Sequence, residues 1–222
     1  MKFSGDELVA LVVSISFAAG LNLYATVATL GLLAQAGALP LPPALQLLAS
    51  WYVIAVCVVL FAIEFFADKV PAFDLIWNAL HTFIRVPVAA LLAYRATAAL
   101  SPWEQLAAAA AGGAIALIAH GGKTAVRAAV TPSPEPFSNI ALSLGEDSLA
   151  VFLTWFSTHH PYWAAAIVAM FLASAVLLVR WVLPLGKNRS TSALLLKERA
   201  SSTESVRAHL RRLHDKWQDD ML

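Results

Sequence analysis

Cysteine is almost missing from this sequence: Cys57 is the only one in 222 residues. A disulfide-stapled secreted scaffold needs pairs, so that class is excluded. Charge is scarce too. Asp, Glu, Lys and Arg make up 13% of the chain, against about 25% in an ordinary soluble domain. So few charges cannot coat a water-soluble globule. Disorder is excluded as well, since it needs much charge and little apolar content. No nucleotide loop with its lysine and hydroxyl is present. Ser143 and Ser148 lie near acids, but no Gly-x-Ser-x-Gly elbow frames them. The sequence therefore implies no enzyme activity and no cofactor.

What remains is apolar. Hydrophobic residues form 59% of the chain, and the mean hydropathy is +0.71. A bilayer core of about 30 Å needs roughly 20 helical residues to cross. Six segments approach or exceed that length: Leu8–Leu33, Trp51–Ala67, Asp74–Tyr94, Leu106–Ala129, Phe137–Phe156 and Tyr162–Leu185. The first is too long for a signal-peptide core and lacks a small-residue cleavage site, so it reads as an uncleaved span. Only helices satisfy their own backbone in lipid without closing into a barrel. The predicted fold is therefore all-α, a polytopic membrane helix bundle of about six spans.

The net charge of +1 hides an uneven distribution. Eight of the 15 Lys and Arg fall in the last 37 residues. Residues 1–185 read as the transmembrane domain and 186–222 as a basic cytoplasmic tail. In the tail, Ser201 and Glu204 fit a capping box. Val206, Leu210, Leu213 and Trp217 then recur at helical spacing. That predicts an amphipathic helix, packed on the body or lying on anionic headgroups. Asp215, Asp219 and Asp220 interrupt its basic run, which argues against nucleic acid as a partner.

Lys and Arg also set orientation. The connection 37–50 carries no charge, 95–105 only Arg95 as a base, and 157–162 none. The intervening connections, near Lys69 and near Lys123 and Arg127, are basic. On this count both termini are cytoplasmic, in a multi-pass protein of the inner (cytoplasmic) membrane. Trp51, Trp103 and Trp163 mark the opposite interface.

The body's ionisable residues gather in two stretches. The first holds Glu64, Asp68, Lys69, Asp74, Asn78, His81 and Arg85. The second holds His120, Lys123, Arg127, Glu135, Asn139, Glu146 and Asp147. Glu64 and Asp68 are four apart, neighbours on one helix face. Asp74, Asn78, His81 and Arg85 form a polar stripe on the third span, and His120, Lys123 and Arg127 a basic stripe on the fourth. A shift of 65 residues carries Pro71 to Pro136, Asp74 to Asn139, Asn78 to Ser143 and His81 to Glu146. This points to an internal two-helix duplication, although Arg85 falls on Ala150.

Ionised groups at membrane depth are costly, so they are paired or functional. One reading is a salt-bridge network that holds the helices in register. The other is a pathway for a small ion or anionic solute between spans two to five, with His81 as proton carrier. A metal site from Glu64, Asp68, Asp74 and His81 is conceivable chemically. The partners implied are the lipid bilayer, a small ion or solute, and a second copy in a homo-oligomer.

Two motifs carry a family resemblance. Glu64-Phe-Phe-Ala-Asp-Lys-Val-Pro71 with Trp77-Asn-Ala-Leu-His-Thr-Phe-Ile-Arg85 is one. Ser133-Pro-Glu-Pro-Phe-Ser-Asn139 with Leu144-Gly-Glu-Asp147 is the other. Together with Ala19-Gly20-Leu21-Asn22, they resemble bacterial membrane proteins of domain-of-unknown-function family 4126. The resemblance covers Leu8 to Leu185 and implies a small multi-span inner-membrane protein without an assigned activity. Glu64, Asp68 and Lys69 are also similar to the acidic motif of cation–proton exchangers that carry Mn²⁺ or Ca²⁺. Here the acids are spaced by Phe65-Phe66-Ala67, and the glycine before the aspartate is absent.

Overall fold

The computed structural model describes residues 3–67, 71–130, 136–177 and 180. Side chains are described for 3–67, 80–126, 140–177 and 180. No strand occurs among the described residues. The helices are α1 (Gly5–Leu21), α2 (Leu23–Gln35), α3 (Trp51–Ala67), α4 (Pro71–Ala96), α5 (Pro102–Val130), α6 (Pro136–His159) and α7 (Pro161–Leu177). A 3₁₀ segment, Pro43–Ala49, precedes α3 and meets it at 60°. Most of the chain forms one compact unit, Met1–Leu172. A second unit, Ala173–Leu222, contributes the end of α7 and Arg180 to the described residues. The predicted tail helix lies outside them.

Proline sets many of the starts. Pro43, Pro71, Pro102, Pro136 and Pro161 each open a helical segment. Proline suits that position because its missing N–H would have no partner there and its φ is preset. Ser4 and Glu7 form a capping box ahead of α1, and Ser101 and Glu104 exchange hydrogen bonds ahead of α5.

The predicted second to fifth spans match α3 to α6 closely. The predicted first span does not hold as one helix. It breaks at Asn22, whose backbone is extended (φ −146°, ψ 105°). Asn22 ends α1 and caps α2, its Oδ1 accepting from the Ala25 N–H at 2.9 Å. Asparagine is among the best residues for that role.

The break turns the chain back. Gly20 of α1 lies against Ala116 and Ala119 of α5, whereas Ser16 lies beside Gly112. α1 therefore runs alongside α5 in the same direction. Gly31 of α2 faces Ile54 at the start of α3, and Gln35 donates to the Ala49 carbonyl. α2 thus runs against α3, back to the end where α1 began. At that end a cavity of about 780 Å³ is walled by Phe3 and Leu8, by Leu39–Leu45 and by Ala96–Ala99. Tyr162, at the start of α7, donates to Asp6 there. α1 and α2 form a re-entrant hairpin with its tip at Asn22 inside the bundle. The chain therefore starts at the end bearing the charge-poor connections. This differs from the single crossing expected for Leu8–Leu33, which would put residue 3 at the basic end of the bundle. The Lys and Arg count assumed a crossing where the chain reverses.

By length and apolarity, two described helical stretches suffice to cross a membrane, Pro102–Val126 and Ile140–His159. The bent pair Pro43–Ala49 and Trp51–Ala67 makes a third.

Close packing depends on small residues. A Cβ on Gly20 would stand 2.5 Å from the Ala116 carbonyl oxygen, and one on Gly112 would stand 2.7 Å from the Ala93 Cβ. These glycines let α1, α4 and α5 approach backbone to backbone. At Gly112, α5 packs against Ser16 of α1 and Ala89 and Ala93 of α4.

Candidate functional site: charges around a broken helix

The distribution of side chains is inverted relative to a soluble protein. Glu64 and Arg85 have no exposure, while Phe83 is 81% and Tyr52 87% exposed. The buried charges surround the hairpin tip.

A helix end leaves carbonyls without intrahelical partners. At the end of α1 the Leu21 carbonyl accepts from Arg85 Nη1 at 3.2 Å and from Lys123 Nζ at 3.3 Å. Cations at a helix C-terminus also complement its dipole. Glu64 Oε1 bridges the same two cations: it pairs directly with Arg85 and lies 3.6 Å from Lys123. Lys123 reaches on to Glu146 at 3.2 Å. α3, α4, α5 and α6 each contribute a charge, and the hairpin contributes backbone.

Two histidines complete the cluster. Arg85 Nη1 lies 3.0 Å from His120 Nδ1. Arginine only donates, so Nδ1 of His120 is an acceptor and any proton on the neutral ring is on Nε2. His81 Nε2 meets the Tyr24 hydroxyl at 2.9 Å. That hydroxyl can donate or accept, so His81 keeps a partner in either protonation state. On the other flank Asn22 Nδ2 donates to Asp147 Oδ1 at 2.8 Å.

The site is close to neutral but not balanced. Among the described side chains, the carboxylates Glu64, Glu146 and Asp147 face the fixed cations Arg85 and Lys123. Glu64 Oε2 and Arg85 Nε are buried without a hydrogen-bond partner among the described residues. Leaving such an atom unmatched costs about 1–3 kcal/mol.

The structure thus brings together Glu64, His81, Arg85, His120, Lys123, Glu146 and Asp147 of the residues expected from sequence. Asp68, Lys69 and Glu135 lie outside the described residues, as do the side chains of Asp74, Asn78, Arg127 and Asn139. No group of three or more His, Cys, Asp or Glu is arranged to hold a metal among the described residues. Sequence reasoning missed Asn22, the Leu21 carbonyl and Tyr24. The available signal was a lone asparagine inside an apolar run.

The family model for a domain of unknown function, DUF4126, matches residues 9–181. The chain belongs to the DUF4126 family. The match spans the hairpin from residue 9 on and α3 to α6, hence every group of the cluster. No curated protein and no solved structure matches the chain.

Proposed function

We propose that this DUF4126 protein is a multi-pass membrane protein acting as a small secondary transporter or permease. Its site is the charge cluster at the hairpin tip. The inverted side-chain distribution supports membrane residence: an Arg–Glu pair inside and large aromatics outside suit an apolar solvent. α3 to α7 are then five crossing segments, and α1–α2 dips in and returns. The basic connections place the far end of the bundle in the cytoplasm and the N-terminus outside. Trp51, Trp103 and Trp163, exposed at the starts of α3, α5 and α7, mark the outer interface. The tail beyond the family match, with eight basic residues, belongs on the cytoplasmic face.

One observation carries the transport reading. The chain breaks a helix deep in the bundle and surrounds the break with charge, while Glu64 Oε2 has no hydrogen-bond partner among the described residues. Transporters use discontinuous helices in this way, because broken ends present backbone dipoles to an ion or solute. A pair serving only architecture is best when every lone pair is satisfied. His81, whose Tyr24 partner tolerates both protonation states, is the proton carrier.

A non-transporting scaffold is the second reading, favoured by the direct Glu64–Arg85 and Lys123–Glu146 pairing. Proteoliposome uptake under an imposed pH gradient separates the two. His81→Gln and Glu64→Gln are expected to fold in detergent and lose pH-driven flux. If both variants unfold, or the wild type moves no ion or solute, the transporter reading fails and the scaffold stands.

A further inference from the structure

The outer end of the bundle holds a separate site. The cavity of about 780 Å³ there is within the size range of small-molecule sites. Leu8, Leu11, Val12, Ile15 and Ser16 line it, a single face of α1 at helical spacing. From Leu8 to Ser16 is eight residues, about 12 Å of helix rise. The cavity thus reaches from the helix starts well into the bundle, where Leu30 of α2 and Leu92 of α4 also bound it. We infer that it binds an uncharged lipophile drawn from the outer leaflet, a hydrocarbon body with a hydroxyl or carbonyl oxygen at its inner end. This goes beyond the transporter reading and uses none of the charge cluster.

The walls set the charge of the ligand. No ionisable side chain lines the cavity among the described residues. The connection 37–50, which closes it, carries no charge at all. An ionised ligand would lose its hydration there and find no partner. Water fares little better. A buried water makes about three hydrogen bonds, and Ser16 is the single polar side chain in the lining. Hydrocarbon gains dispersion contact with every other wall.

Ser16 sets the polar contact. It is 3% exposed, and a Cβ on Gly112 would stand 2.8 Å from its Oγ. Other buried hydroxyls return to their own helix backbone. Ser14 donates to the Ala10 carbonyl at 2.9 Å, Thr97 to Ala93 at 2.9 Å and Thr154 to Ala150 at 2.7 Å. Ser16 makes no such bond, and its hydroxyl has no hydrogen-bond partner among the described residues. A buried hydroxyl left in that state is costly, and a ligand oxygen at the cavity floor relieves it.

The entrance fits a membrane source. Pro40, Pro43, Ala98 and Ala99 are the exposed residues of the lining. They sit at the end where Trp51 and Trp103 mark the interface. Pro40, Pro42 and Pro43 preset the backbone of the covering segment, and Leu39, 4% exposed, anchors it. A phospholipid is a poorer fit, because its oxygens stay at headgroup level and Ser16 lies two turns deeper than Leu8. An occupant touches both α1 and α2, so it braces the hairpin.

Binding of tritium-labelled 1-dodecanol to the full chain in nanodiscs, with empty nanodiscs as background, tests the inference. Saturable binding of a single molecule per chain is expected. Unlabelled dodecane lacks the oxygen and should compete about threefold to tenfold less well than unlabelled 1-dodecanol. In Ser16→Ala that preference should vanish. Dodecyl sulfate and dodecyltrimethylammonium, charged chains of equal length, should not compete. Ala96→Phe fills the cavity and Ala99→Trp blocks its exposed rim. Each should melt no lower than the wild type and lose the binding. Absence of saturable binding would overturn the inference, including the case in which a phospholipid chain holds the site. So would competition by the charged chains equal to that of 1-dodecanol, an unchanged preference in Ser16→Ala, or full binding in a folded Ala96→Phe or Ala99→Trp.

Discussion

Asn22 joins two partners at once: its amide nitrogen donates to Asp147 across the bundle, and its oxygen caps α2 at Ala25. Both halves of one side chain are used, so alanine removes a cap and a buried hydrogen bond together. Asn22→Ala is expected to cost about 1–3 kcal/mol, read by chemical unfolding in detergent. Asn22→Asp keeps the cap but sets a carboxylate against Asp147. It should be the less stable variant at neutral pH and recover on acidification. Equal stability of the two variants across pH would refute a direct Asn22–Asp147 contact.

The hairpin makes a topological prediction. In a Cys57→Ala background, Gly5→Cys and Ala38→Cys place thiols at exposed positions at the start of α1 and after α2. An impermeant maleimide should label both from the same side of sealed vesicles. A continuous first span would put them on opposite sides.

Glycine contacts give a paired test of packing. Any Cβ at Gly20 meets the α5 backbone, whereas at Gly121 nothing lies within 4 Å. Gly20→Ala should destabilise by about 1–3 kcal/mol, as overpacking does. Gly121→Ala should be neutral or stabilising by up to about 1 kcal/mol, since alanine favours helix. Similar unfolding midpoints for the two would contradict the α1–α5 approach.

Asp6 supplies a pH dependence at the outer end. Hydrogen bonds from Ser4 and Tyr162 lower its pKa from the ordinary 3.8 to about 2. A depressed folded-state pKa contributes stability above the unfolded value, and the contribution fades as pH falls toward the folded one. The melting-temperature gap between wild type and Asp6→Asn should therefore be constant near neutrality and close between about pH 4 and pH 2. A gap that stays constant through that window would remove the Asp6–Tyr162 contact from the account.

Legibility from sequence followed periodicity. His81 and Arg85 are four apart on one face of α4, and both reach the tip. Glu64, Lys123 and Glu146 stood out because charge is rare in apolar runs. The hairpin did not stand out. Leu8–Leu33 has the length and hydropathy of a crossing, and residue 22 lowers neither by much. Whether Asn22 caps a new helix or rides inside a continuous one depends on Asp147, 125 residues away. No local pattern carries that pairing. The position of the hairpin's start was hidden for the same reason, since one unrecognised reversal moves it to the other end of the bundle.

The re-entrant hairpin also bears on how the molecule is assembled. Both arms lie on one side of the cluster, so α1 and α2 seat against it from that side alone. Glu64, Arg85, Lys123 and Glu146 lie on α3 to α6 and can find each other before the hairpin seats. What the hairpin brings is a bare carbonyl and a cap, the last acceptors for cations already gathered. Insertion is then a late, one-sided event, guided by charge waiting at the bottom of the socket.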